Sequence, residues 1–346
     1  IDLPKTKFRI AYIPALFVFL LHSLFAMPQL TSLRIGLNVI VDATLAYIIL
    51  LKILENPRLF RKFIYAFLLG GVASGIYGWT NQDVSVDINV AGAGAQTVDR
   101  NFGALGDSNF AGLFYSICIV ASIAIKGIPK PIRIAAVALF GIMLLQTASI
   151  SALMILAVLL TLYIILRYRM KSIIILTVIF VAASIAVAVV LATPQLREIE
   201  AVAGLIIRVN EKLSYIPRGR WDLLTTDRYS IWSEAMRIFL SKDLWGQLIG
   251  GDVITVMAID YSVIEIACHN SYIQALLNFG VIGTILVYIP MFCVFTYRIL
   301  SHFSNDAGYE TEDIKILQLV FNFAFIVFGF TVDFFIDWAY LVFYFI

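Results

Sequence analysis

The chain has 346 residues, 61% of them hydrophobic and only 14% charged, with a mean hydropathy of +0.92. Soluble domains carry about 45–50% apolar and about 25% charged residues, so the composition excludes a soluble globular protein and predicts one solvated largely by lipid. The net charge of +2 says nothing about partners, and no nucleic-acid partner is predicted.

Apolar stretches of about 17–25 residues, the length that crosses a bilayer, recur along the chain. They predict an all-α polytopic membrane protein of about ten transmembrane helices, at residues 10–27, 33–54, 60–80, 109–126, 132–148, 150–167, 172–192, 271–297, 315–332 and 334–346. The chain begins with Ile and ends within an apolar run, so further transmembrane helices are expected in a full-length chain.

The loops divide this layout into three predicted domains. Residues 1–192 hold the N-terminal transmembrane helices, residues 193–270 form an extracytoplasmic loop domain, and residues 271–346 hold the C-terminal transmembrane helices. Loops rich in Lys and Arg face the cytoplasm, and most of the 25 basic residues fall on one side if the N-terminus is inside. All five Trp residues then fall at the outer face, as interface anchors do.

The 193–270 segment is the one loop long enough to fold by itself. Thr193-Pro194 is typical of a helix start. Apolar residues then recur at three- and four-residue steps, which predicts an amphipathic helix along the membrane surface: Leu196, Ile199, Val202, Leu205, Val209 and Leu213. Pro217 and Gly219 end it, a second helix is predicted from about Asp227 to Leu240, and a turn-rich exit follows at Gly246, Gly250 and Gly251.

Arg228 lies on the apolar side of the second predicted helix. At 100° per residue, Trp232, Ala235 and Phe239 lie within about 40° of it, whereas Arg237 lies on the opposite side. A guanidinium directed at the protein body requires an anionic partner. Helix geometry leaves two interpretations open: a structural ion pair, with Asp227, Asp252, Asp260 or Glu265 as partner, or a clamp for a phosphate group.

His269 and Asn270 directly precede the span at 271–297. Either side chain is a suitable helix cap at a helix end that favours anions. Gly280 and Gly283 fall within about 40° of His269 on an unbroken helix, so a neighbouring helix is expected to approach this face closely. An imidazole held there can exchange a proton near neutral pH; the alternative is a simple cap. Cys268 and His269 are adjacent and do not form a reactive pair.

A third polar group precedes the span at 109–126. Arg100 and Asn109 flank a segment that also contains Asp107 and Ser108, both good helix-capping types. A structural cap and a binding role are both open here, with the cap favoured by residue type.

Several sequence motifs are absent. The chain has no phosphate-binding P-loop, no dinucleotide-binding glycine pattern and no His-Glu-x-x-His. The loop from Met27 to Ser32 contains no acidic residue, which removes the metal-binding carboxylates expected of lipid-sugar glycosyltransferases that use a metal in that loop. Neither a metal nor a cofactor is therefore predicted.

The segment around His269 resembles the signature of the O-antigen ligase and O-antigen polymerase family. That signature is a His, a small polar residue, nine positions and then Gly-x-x-Gly, which His269-Asn270 and Gly280…Gly283 match. The long loop with Arg228 four residues before Trp232 is similar to the family as well, and Arg100, Gly103 and Asn109 resemble its upstream Arg-x-x-Gly…Asn segment. The chain departs from the pattern at Ser149-Ile150-Ser151, where members often carry Ser-Arg, and in having fewer than about twelve spans.

The resemblance implies a metal-independent transferase in a bacterial inner membrane, with its site facing the periplasm. Such an enzyme moves an oligosaccharide from undecaprenyl diphosphate to a glycan acceptor, either a lipid-linked repeat unit (polymerase) or lipid A-core (ligase), and works among membrane lipid. The resemblance assigns His269 to the acceptor side and Arg228 to the diphosphate. The expected substrate contacts are Arg100, Arg220, Asn270, Asn109 and Trp232. Polymerase is the preferred assignment and ligase the alternative; a flippase for a lipid-linked sugar is the alternative from another class.

Overall fold

Helices dominate the fold in a computed structural model of the chain, which describes residues 13–15, 17–18, 56–81, 85–90, 94–99, 103–105, 107–220, 228–250, 255–259, 262–266, 268–303 and 312–330. The helices are α1 (Pro57–Thr80), α2 (Ser108–Ala124), α3 (Lys130–Gln146), α4 (Ile150–Tyr168), α5 (Ser172–Ala192), α6 (Pro194–Arg197), α7 (Glu200–Tyr215), α8 (Arg228–Ser241), α9 (Leu244–Ile249), α10 (Ser271–Phe303) and α11 (Glu312–Phe328). Short 3₁₀ turns lie at Arg169–Lys171 and Ile216–Arg218.

Two antiparallel hairpins interrupt the helices. Strand β1 (Ser85–Val90) pairs with β2 (Gly94–Asp99), with Ser85 opposite Asp99, and β3 (Thr255–Ile259) pairs with β4 (Ser262–Ile266), with Thr255 opposite Ile266. The first hairpin lies between α1 and α2, and the second lies in the 193–270 segment. The predicted helical class is confirmed, and the hairpins are an addition that the sequence analysis missed.

Three stretches of the described chain are long and apolar enough to cross a membrane: Arg58–Thr80, Ile150–Ala192 and Ser271–Phe303. The second contains two helices, α4 and α5, because the chain turns at Arg169, whose φ is +49°. The predicted spans at 60–80, 150–167 and 172–192 therefore coincide with helices. The spans at 33–54 and 334–346, and most of 10–27, lie outside the described residues, so the count of about ten stays a prediction.

The chain divides into two compact units. One comprises residues 1–60, 225–310 and 321–346, and the other comprises residues 61–224 and 311–320. The predicted division at residues 192 and 270 is a separate statement about membrane topology and stays a prediction.

In the unit of residues 61–224 and 311–320, α2 packs against α3 and α4. The contact is close because Gly112 faces Ala152: a methyl group added at Gly112 would lie 2.4 Å from the Ala152 side chain. Ser116 Oγ donates to the carbonyls of Gly112 and Ala152 at 2.7 and 3.2 Å. Small residues and hydroxyls that cross-link helices are typical of membrane interiors.

Helix α5 is exposed along almost its whole length. Every residue from 177 to 189 is exposed, and Ser172 is the one buried residue of the helix. Its apolar side chains therefore contact the surrounding solvent phase, which for this composition is lipid.

Helix α7 is the amphipathic helix predicted after Thr193-Pro194, and it packs against α3, α4 and β1. The prediction of one continuous helix from Pro194 is wrong, since the short α6 ends at Arg197 and Ile199 has extended φ/ψ angles. The predicted end is confirmed, because Gly219 follows the last turn with φ +63°. Val209, Leu213 and Ile216 form an exposed apolar stripe on α7 and the turn after it.

Candidate active site

Helix α8 begins at Arg228 and ends at Ser241, one residue from the predicted bounds. Its buried face consists of Ile231, Ala235 and Phe239, and Arg228 is half-buried at its first position. Arg228 therefore lies at the N-terminal end of the apolar stripe, on the same face of α8 as Ile231, Ala235 and Phe239.

The opposite face of α8 is solvated, as predicted. Arg237 is 68% exposed and makes a two-bond ion pair with Glu234, at 2.7 and 2.6 Å. The hydrogen bonds from Arg237 lower the pKa of the Glu234 carboxyl. Arg237 thus has a partner on its own helix.

The buried face of α8 packs against the first part of α10. Ala235 and Phe239 form a cluster with Cys268 and Leu277, around which Ile273 and neighbouring apolar side chains pack. The cluster excludes water from the surface between α8 and the turn that carries His269, and burial of this kind contributes about 25 cal/mol per Å² of apolar area.

Two hydrogen bonds join the same two helices at their ends. Trp232 Nε1 donates to the Cys268 carbonyl at 2.9 Å, and Lys242 Nζ donates to the Leu277 carbonyl at 3.4 Å. The step of ten residues from Trp232 to Lys242 thus matches the step of nine residues from Cys268 to Leu277, so α8 and the first part of α10 run parallel. Arg228 lies one turn before Trp232, about 6 Å along α8, at the end of the pair where His269 lies.

His269 occupies an unusual backbone conformation. Its φ is +49°, in the left-handed region, and its side chain is exposed. Left-handed non-glycine residues are uncommon and cluster at functional sites, and each costs about 1–3 kcal/mol.

Asn270, and not His269, caps α10. Its Oδ1 accepts from the backbone N–H groups of Tyr272 and Ile273, at 3.0 and 3.2 Å. The Ser271 N–H donates to the Gly329 carbonyl at 2.7 Å. The choice that the sequence left open is decided, and Asn270 has a structural role beside any contact with substrate.

The helix after Asn270 is broken at Gly280. This residue has φ +64° and ψ −174°, so α10 consists of a first half, residues 271–279, and a second half, residues 281–303. The prediction of an unbroken helix through 271–297 is wrong at this point, and the angular relation between His269 and Gly283 that depended on it does not hold.

The expected close approach at Gly280 does occur, and the neighbour is the turn after α9. A methyl group added at Gly280 would lie 2.4 Å from the Leu248 carbonyl group, and one added at Gly250 would lie 2.3 Å from the Asn278 oxygen. Both glycines have positive φ. The two backbones meet where no side chain fits, and this contact sets the site of the break.

An aromatic cluster supports the first half of α10 from the side of α11. The Tyr272 ring lies 4.7 Å from Tyr288 and 4.6 Å from Phe330, and its hydroxyl donates to the Ile326 carbonyl at 2.7 Å. The start of α10 is therefore held on two sides, by α8 and by the end of α11.

Of the predicted site residues, the structure places Arg228, Trp232, His269 and Asn270 in one unit, at one end of the pair formed by α8 and the first half of α10. Arg220 belongs to the other unit, where it is exposed directly after Gly219. Arg100 lies outside the described residues. So do three of the proposed acidic partners of Arg228 and the side chain of the fourth: Asp227, Asp252, Asp260 and Glu265.

Asn109 also belongs to the second unit, at the start of α2. Asp107 caps this helix by accepting from the N–H groups of Asn109 and Phe110, at 2.7 and 3.1 Å. The Asn109 Oδ1 accepts from Ser149 Oγ at 2.8 Å and from Ser151 Oγ at 3.2 Å. Ser149 and Ser151, on either side of Ile150, thus hold the predicted asparagine, a relation the sequence analysis missed.

Gln274 and Asn278 were missed too, although a signal existed. They are two carboxamides four residues apart in an otherwise apolar stretch, and both are buried. Buried carboxamides require hydrogen-bond partners, so this spacing indicates an internal polar contact. Among the described residues, no group of three His, Cys, Asp or Glu side chains is placed to hold a metal ion; the metal-independent chemistry stays a prediction.

The described helices that are long and apolar enough to cross a bilayer define an integral membrane protein. The family model described as O-Antigen ligase matches residues 135–288, a segment from α3 to α10 that contains Arg220, Arg228, Trp232, His269, Asn270 and Gly280. This match confirms the resemblance to the O-antigen ligase and polymerase family, and it supports an enzyme of glycosyl transfer. A search of curated proteins found no match.

Proposed function

We propose that this protein is a polysaccharide polymerase of the cell envelope. It transfers an oligosaccharide from undecaprenyl diphosphate to a hydroxyl of a lipid-linked acceptor glycan, at the non-cytoplasmic face of the membrane. The observation that carries the proposal is the parallel pairing of α8 with the first half of α10, which holds the end bearing Arg228 beside the turn bearing His269.

The chemistry follows from these two side chains. The acceptor oxygen attacks the anomeric carbon, the bond from that carbon to the diphosphate oxygen breaks, and undecaprenyl diphosphate leaves with the bonding electron pair. A guanidinium binds such an oxyanion through parallel N–H bonds and gains strength where water is excluded. Arg228, half-buried beside the apolar cluster, is suited to this task.

His269 acts on the acceptor side. Its imidazole accepts the proton of the attacking hydroxyl, or orients that hydroxyl for attack, and its exposed side chain is open to a large glycan. Arg220 and Arg100 are proposed as further cationic contacts for the diphosphate, and Asn109 and Trp232 as contacts for the sugar.

The test is turnover of lipid-linked oligosaccharide by the purified protein in liposomes. We expect His269→Ala and Arg228→Ala each to lower kcat by about 10²-fold or more, the range for a lost acid–base or oxyanion contact. Arg237→Ala is the matched control, because this arginine of the same helix faces solvent. Near-normal turnover by both site variants would refute the assignment.

Acceptor supply separates polymerase from ligase. With lipid-linked repeat units as the sole glycan, a polymerase lengthens the chain, whereas a ligase forms product only after lipid A-core is added. The broken helix α10 is the one observation that favours a flippase, since transporters use discontinuous helices at their binding sites. A flippase would move lipid-linked sugar across liposomes with no acceptor present and form no glycosidic bond.

A further inference from the structure

Both backbone polar atoms of Cys268, the residue that precedes His269, make hydrogen bonds. The Cys268 N–H donates to Gln274 Oε1 at 3.1 Å, and the Cys268 carbonyl accepts from Trp232 Nε1 at 2.9 Å. Cys268 itself is fully buried. One bond comes from α10 and the other from α8, so the two peptide groups that flank the Cys268 Cα are each bonded to one of the two helices.

The Gln274 carboxamide is itself fixed by a second buried amide. Its Nε2 donates to Asn278 Oδ1 at 2.8 Å, and the two residues are 0% and 5% exposed. A polar chain thus runs along the first half of α10, from Asn278 through Gln274 to the Cys268 N–H. In an apolar surrounding, a lost hydrogen bond between buried polar groups costs about 1–3 kcal/mol where no other partner replaces it.

This polar chain ends beside the strained residue. His269 has φ +49°, and the residue after it, Asn270, is fixed by its own cap bonds to α10. A left-handed histidine persists only where its surroundings hold it. Contacts on both sides of His269 do so: the bonded Cys268 backbone before it and the Asn270 cap after it.

We propose that Gln274 is a positioning residue for His269. With Trp232, it fixes the backbone of Cys268 on both sides of its Cα, and this fixed backbone holds the turn that presents the imidazole. The consequence for turnover rests on the proposed function, whereas the effect on the conformation of His269 does not.

The test compares two substitutions of Gln274. Gln274→Met keeps the volume and length of the side chain but neither accepts from Cys268 nor donates to Asn278. Gln274→Glu in its protonated form retains both the acceptor and the donor. Gln247→Met is the matched control, because Gln247 bonds to the carbonyls of Leu240 and Lys242 and has no bond to the turn.

The first readout is the NMR signal of His269. The chain has three histidines, His22, His269 and His302, so labelled histidine gives few signals, and His269→Ala assigns the one of interest. We expect Gln274→Met to shift or broaden the His269 signal alone, with Gln274→Glu close to the native spectrum and Gln247→Met unchanged.

The second readout is turnover. We expect Gln274→Met to lower kcat by about 10²-fold, which is the cost of displacing a catalytic group by about 1 Å. The KM for the donor should change less than about 2-fold, and Gln274→Glu should restore most of the lost kcat. If Gln274→Met does not fold, Trp232→Phe removes the other bond to the Cys268 backbone and must produce the same change in the His269 signal.

The outcomes separate the two proposals. An unaltered His269 signal in Gln274→Met or Trp232→Phe overturns the positioning role whatever the turnover. An altered signal together with full activity of His269→Ala keeps the positioning role and overturns the proposed function.

Discussion

The left-handed conformation of His269 leads to an unusual prediction, that glycine is better tolerated there than alanine. Alanine at φ +49° keeps the steric penalty of a left-handed L-residue, about 1–2 kcal/mol, which glycine does not have. Glycine loses about 0.4–1 kcal/mol through the greater freedom of its unfolded chain. The difference leaves His269→Gly more stable at the turn than His269→Ala by about 0.5–1 kcal/mol.

The assay is hydrogen exchange of the peptide that contains residues 268–275, measured by mass spectrometry on both variants. A local difference of about 0.5–1 kcal/mol corresponds to exchange about 2- to 5-fold slower in His269→Gly. Both variants lack the imidazole, so both are expected to be inactive, but added imidazole should restore turnover to the glycine variant, whose turn is intact. Equal exchange in the two variants, or slower exchange in His269→Ala, would refute the left-handed turn.

Three further predictions concern other parts of the chain. Gly280→Ala should prevent correct folding, because its methyl group would lie 2.4 Å from the Leu248 backbone and the residue has a left-handed conformation. The control is Gly70→Ala in the middle of α1, where the added methyl group meets open space and should be neutral or stabilising. Thermal melting of both variants makes the comparison. The exposed Glu234–Arg237 pair should contribute little to stability at neutral pH. Because the pKa of Glu234 is lowered on folding, this small contribution is lost as the pH falls through that lowered pKa, and Glu234→Gln should remove that part of the pH dependence in acid unfolding. Leu213→Glu, in the exposed stripe of α7, should weaken the binding of this helix to the bilayer and so raise the hydrogen exchange of α7 in liposomes. The same substitution should not raise hydrogen exchange in fragments of the same sequence studied without detergent.

The helices of the long loop were predictable because their signals are local. Pro217 and Gly219 end α7 through their own backbone preferences, and α8 begins within one residue of its predicted start. The capping role of Asn270 was predictable as one of two choices, since asparagine is a preferred cap. The choice between Asn270 and His269 required the observed backbone angles.

The break at Gly280 was not predictable from its own segment. Nothing in the apolar pattern around it indicates a positive φ; the break depends on contact with Gly250, thirty residues earlier in the chain. The hairpin at β1 had a visible signal, because Val86, Ile88 and Val90 alternate with polar residues. Six residues of alternation are too few to distinguish a strand from a loop by sequence alone.

The relation between Arg228 and His269 was half predictable. The sequence places both at helix starts with apolar residues after them, but it contains no register between the helices. The register comes from the bonds of Trp232 and Lys242 to carbonyls of a distant segment. Backbone carbonyls leave no mark in a sequence, so this part of the site becomes visible only in the structure.

The exposure of α5 has a consequence for how its residues are chosen. Twenty-one residues at 1.5 Å each span about 31 Å, close to the thickness of the bilayer core, and the side chains from 177 to 189 touch little of the protein. The requirement on these positions is therefore hydrophobicity alone, with no demand for a particular side-chain shape. A scrambled α5 of the same composition should insert and function like the original, and a probe attached to its exposed residues should leave turnover unchanged.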